Sequence, residues 1–177
     1  MSMIRRSFPA RLANLAFEID APQGFEPLEC PAEVPDFDDP TLSAPLAVLS
    51  SQVALALVTI AARPAYGDGS VSDWLHYLSA HYGITLTSIT VGEVGGEKTR
   101  HPAVLAEGHQ TQEDTLLQMR LAMLEDGGRL VTIHAMCPDE LAPSYLPLMQ
   151  QCVASFQLLT ATGPTAPLSR DNTAVAE

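Results

Sequence analysis

The stretch Asp114–Cys137, DTLLQMRLAMLEDGGRLVTIHAMC, constrains this chain more than any other. Two apolar runs flank Asp126-Gly127-Gly128. Residues of that kind accept the positive φ that a tight hairpin turn requires, so the spacing predicts a β-hairpin. Strand side chains alternate between faces. Thr115, Leu117, Met119, Leu121 and Met123 therefore share one face, and Leu116, Gln118, Arg120, Ala122 and Leu124 share the other. In the second run Leu130, Thr132, His134 and Met136 oppose Val131, Ile133, Ala135 and Cys137. Both faces are apolar, so the hairpin belongs in the middle of a sheet that is covered on both sides.

The rest of the chain fits around that centre. A length of 177 residues is enough for one domain with a real core. The net charge of -12 opposes binding to phosphate backbones and to anionic membrane surfaces, which excludes nucleic acid as an expected partner. Residues 1–14 read as a flexible arm, and Leu15–Ile19 as a first strand. Prolines at 22, 27, 31, 35, 40 and 45, interleaved with acids, predict an extended surface loop over 22–45. Such a loop could lie as a flap over a groove. Leu46–Leu49 and Val53–Ala62 read as paired strands.

Ser70 with Asp73 predicts a helix start and Gly83 its stop, with Val71, Trp74, Leu75, Leu78 and Tyr82 as the apolar face. Ile84–Val94 and Ala103–Gln110 read as strands, with Gln112-Glu113-Asp114 turning into the hairpin. A last helix follows Pro138, its stripe formed by Tyr145, Leu148, Met149, Cys152 and Phe156. Phe156–Leu159 reads as a terminal strand, and 161–177 as a disordered tail. The expected fold is therefore α+β: a single domain over 15–160, with a central antiparallel sheet of about six strands and helices packed on its faces.

No catalytic or cofactor motif survives inspection. Gly92–Thr99 approaches a phosphate-binding loop, but Glu97 stands where glycine is required and Pro102 follows. His76 and His81 sit about 140° apart on their helix, which is poor for one metal. His101 and His109 are about 27 Å apart at strand rise. His134 and Cys137 point to opposite faces. Cys30, Cys137 and Cys152 form no disulfide framework and fit a reducing compartment. The N-terminus lacks the apolar core of a secretory signal, and Val53–Ala62 is too short to span a membrane. A cytoplasmic protein without cofactor or metal is the expectation.

The Trp74 helix, the strand and glycine turn after it, His101-Pro102-Ala103, the hairpin at Asp126-Gly127-Gly128-Arg129-Leu130 and the closing Tyr145…Pro147…Ser155-Phe156 helix carry a resemblance. Over Leu15–Leu159 the chain resembles the PsbP/DcrB/Mog-like superfamily. The resemblance implies an antiparallel sheet sandwiched by helices. It also implies a mostly non-enzymatic role, as in photosystem accessory proteins, a Ran-binding factor, periplasmic lipoproteins and adaptor chaperones of type VI secretion effectors. The 22–45 segment departs from the pattern, no lipobox is present, and no functional residue of the family carries over.

The expected function is a non-enzymatic adaptor or accessory module that presents an apolar sheet face to a protein partner. Met119, Leu121, Met136 and Tyr145 are its candidate binding residues, since methionine-rich surfaces adapt to varied partners. The alternative is a small-molecule-binding protein or enzyme with a pocket under the proline-rich segment, lined by His134 and Tyr66. A homodimer is compatible with either.

Overall fold

The computed structural model describes residues 2–10, 15–30, 44–65, 67–96 and 99–159. The proposed tail, Tyr66 and the centre of the proline-rich segment lie outside them. The expected hairpin is present. Strand β8 (Thr115–Asp126) pairs antiparallel with β9 (Arg129–Pro138) from Leu117 opposite Pro138 to Asp126 opposite Arg129. Gly127 and Gly128 adopt φ of 57° and 81°, which makes a two-residue turn with both central residues left-handed. Arg129 clasps it, its Nη2 donating to Asp126 Oδ2 at 2.7 Å.

That hairpin lies inside a seven-stranded antiparallel sheet, ordered β3-β4-β5-β9-β8-β7-β6. The other members are β3 (Phe25–Leu28), β4 (Ala44–Ser51), β5 (Leu57–Pro64), β6 (Thr85–Gly95) and β7 (Arg100–Gln112). The turn between β7 and β8 contains no glycine; Glu113 and Asp114 take the positive φ values themselves. A second sheet of three strands is ordered β1-β2-β10, from Met3–Phe8, Ala16–Pro22 and Gln157–Leu159.

Helix α1 (Val71–His81) starts at a capping box in which Ser70 and Asp73 each satisfy the other's backbone N–H. Gly83, at φ 69°, follows its end. Helix α2 (Ala142–Ala154) carries Pro143 in its first turn and Pro147 in its interior.

Four expectations are corrected. The fold is richer in sheet than a helix-covered sheet of about six strands, because a second sheet covers part of one face. Residues 1–14 are not all a loose arm: Met3–Phe8 is strand β1, held by Arg5 against Asp20 and Glu18 on β2. The 22–45 segment is not all loop, since it contributes β3 and the start of β4. Val53 and Leu55 do not lie in the second of the two paired strands, which begins at Leu57. They project from the β4–β5 turn, Val53 at 85% exposure.

Residues opposite each other across an antiparallel pair share a face, so the register sorts the core into two. On one face Leu49, Ile60, Ala122, Leu124, Ile133 and Ala135 pack against α2 and the small sheet, through Tyr145, Met149, Phe17 and Phe156. On the other, Val104, Ala106, Met119, Leu121 and Met123 pack beneath Leu75 and Leu78 of α1.

Candidate functional site

Among the described residues, the α1 face is covered only in part. α1 roofs β7 and β8, and its Trp74 ring meets the buried Arg63 guanidinium, 4.7 Å from the ring centroid. Trp74 thus has one ring face occupied by a cation from β5, and Tyr77 packs edge-on against it. This fits its expected place on the apolar face of the helix. Tyr82, placed by periodicity on the same apolar face, is exposed.

Beyond the roof, the register places Val48 and Ser50 of β4, Leu57, Thr59 and Ala61 of β5, and His134 and Met136 of β9 on the same face. Each of them keeps part of its surface exposed. Leu28 of edge strand β3, opposite Val48, is exposed. The result is a shallow, mainly apolar sheet surface bounded by α1 on one side and β3 on the other.

Five of the six residues singled out from sequence fall into three groups. Met119 and Leu121 are core residues beneath α1, at 1% and 2% exposure. His134 and Met136 lie beside them on the same face, opposite Leu121 and Met119, at the border of the open part. Tyr145 lies across the sheet in the other core, against Phe25. The structure therefore gathers four of the six and separates Tyr145. Tyr66 is outside the described residues, as is most of the segment proposed to cover it. Val48, Leu57 and Thr59 were missed as surface residues. Their signal was the alternation of β4 and β5, which does not say which face is left open.

The electrostatics of this surface are muted. Burial pushes the His134 imidazole down to about 4, so at neutral pH it is an uncharged, amphipathic ring. Burial raises the thiol pKa of Cys137 and pushes that of Cys152 up to about 12, which leaves both unreactive as thiolates. Among the described residues no group of three or more His, Cys, Asp or Glu side chains is arranged to hold a metal. No helix among them is long and apolar enough to cross a membrane.

No protein-family model matches the chain, and no curated protein matches it in sequence. Solved structures do match in shape. The solution structure of cyanobacterial PsbP (CyanoP) from Synechocystis superposes with a TM-score of 0.60 at 11% identity, covering 89% of this chain and 93% of that one. The fold is PsbP-like. The expected superfamily architecture is thereby met, although at this identity the likeness extends to the fold alone. Two further matches have lower scores. A Pseudomonas aeruginosa protein of unknown function gives a TM-score of 0.47 at 15% identity, covering 85% and 93% of the two chains. LpqN of Mycobacterium tuberculosis, described as involved in cell envelope biogenesis, gives 0.49 at 9%, covering 89% and 92%.

Proposed function

We propose that this chain is a non-enzymatic binding module, and that it receives a protein partner on the open part of the α1 face. The supporting observation is the unequal cover of the sheet. Val48, Leu57, Ala61 and Met136 remain partly exposed on a regular β surface whose opposite side is packed. Exposed apolar area of that kind favours association, because covering it removes it from water. A neutral His134 adds a hydrogen-bonding group without the cost of burying a charge. The compartment proposed is the cytoplasm, where the free thiols of Cys30, Cys137 and Cys152 are kept reduced.

The test uses a photo-crosslinking residue placed singly at Val48, at Met136 and at Tyr77 on the solvent side of α1, in the native host. The expected outcome is one adduct of the same mass from Val48 and Met136 and none from Tyr77, lost in a Leu57→Asp background. Crosslinking from Tyr77 alone would move the partner to the roof and refute the assignment.

A further inference from the structure

The two edges of the seven-stranded sheet are built differently. Strand β3 has four residues, and Pro27 and Glu26 interrupt it. Short length, proline and charge are the usual devices that stop an edge from pairing with another chain. Strand β6 has eleven residues and no proline, and Glu93 is its one charged residue. Thr85, Thr87, Ser88, Thr90 and Val91 are exposed, Val91 at 88%. A bulge between Leu86 and Ser88 breaks the register with β7, but from Ser88 to Gly95 the register is continuous. Among the described residues no strand pairs with the outer side of β6.

We propose that Ser88–Gly92 of β6 pairs antiparallel with the same segment of a second copy of this chain, about a two-fold axis at Thr90. The sheets of the two copies then become continuous. The segment is self-complementary in that register. Ile89 lies opposite Val91 of the second copy, and Ser88 opposite Gly92, so an apolar patch of two isoleucines and two valines forms on the α1 side of the junction. Such β-branched cross-strand pairs are the favourable unit of sheet pairing.

The complementarity of Ile89 with Val91 points to a second copy, and the register keeps the acids of the two strands apart. A chain with net charge -12 tolerates its own copy only where acids stay apart. In this register the two Glu93 side chains lie six residues apart along the ladder, about 20 Å, beyond the Debye length of about 8 Å at physiological salt. Each Glu93 also has Arg100 at 3.4 Å.

Sedimentation velocity of the full chain, from low to high micromolar concentration, tests this. The wild type is expected to move from monomer to dimer across the series. Val91→Lys places two like charges about 8 Å apart across the junction and should shift the transition about tenfold upward in concentration. It also makes each chain less negative, so general repulsion would act in the opposite sense. Val53→Lys, at the equally exposed β4–β5 turn, should leave the transition where it was. A chain that stays monomeric throughout overturns the proposal, as does a dimer that Val53→Lys breaks and Val91→Lys does not.

Discussion

The two faces of the seven-stranded sheet use similar side chains to different ends. On the α2 side, Ile60, Ile133, Ala135 and Leu124 are sealed by α2 and by the small sheet, where Phe8 stacks on Phe17 and Phe17 meets the tilted ring of Phe156, just before β10. On the α1 side, among the described residues, one eleven-residue helix covers β7 and β8, and β4 and β5 lie beyond it. The sealed face stabilises the domain. The half-roofed face leaves part of its apolar surface exposed. Amphipathicity of the strands is thus necessary for a binding face but does not identify one; what matters is which strands the crossing helix reaches.

The contrast can be attacked in order of expected effect. Phe156→Ala removes a fully buried ring between the small sheet and α2, and should cost about 3–5 kcal/mol in urea unfolding. Leu75→Ala removes a buried contact of the roof and should cost about 2–4 kcal/mol. It should also selectively speed hydrogen exchange in α1 while β9 stays protected. Equal loss of protection in β9 would mean that the roof is no more separable than the sealed side, and the comparison would collapse.

Acid should weaken the fold through His134. Its folded pKa of about 4 lies below the ordinary 6.5, so between those values the unfolded chain binds the extra proton. Stability therefore falls as pH drops from about 6.5 towards 4, by on the order of 2 kcal/mol after allowing for the ring's partial exposure. His134→Leu should flatten that part of the stability–pH curve. A variant with the wild-type slope would assign the acid sensitivity elsewhere.

The centre of this fold was legible from sequence because its signals are local. Asp126-Gly127-Gly128, the Ser70–Asp73 box, Gly83 and the α2 stripe each specify their own element. Strand β1 was missed because its sequence, MIRRSF, has two adjacent arginines and little apolar period. Its partners are remote: Arg5 pairs with Asp20 and Glu18, and Phe8 stacks on Phe17 at 4.8 Å. That complementarity of MIRRSF with the acids of AFEID was the available clue. Strand β3 was hidden by Pro27, which an edge position tolerates. The candidate site was half legible. Alternation placed Met119 with Leu121 on one face of β8 and His134 with Met136 on one face of β9, but whether a side chain there is core or surface depends on the path of α1 over the sheet. Tyr145 was grouped with them because helical periodicity does not reveal which side of the sheet a helix covers.

The unequal cover can be read directly from methionine oxidation. Met119, Met123 and Met149 are buried, whereas Met136, on the open side of the same sheet, keeps part of its surface. Brief treatment of the folded protein with hydrogen peroxide, followed by peptide mass spectrometry, should show Met136 oxidised well ahead of those three. If Met136 is protected as fully as Met149, the α1 face is closed, and the binding surface proposed for it does not exist.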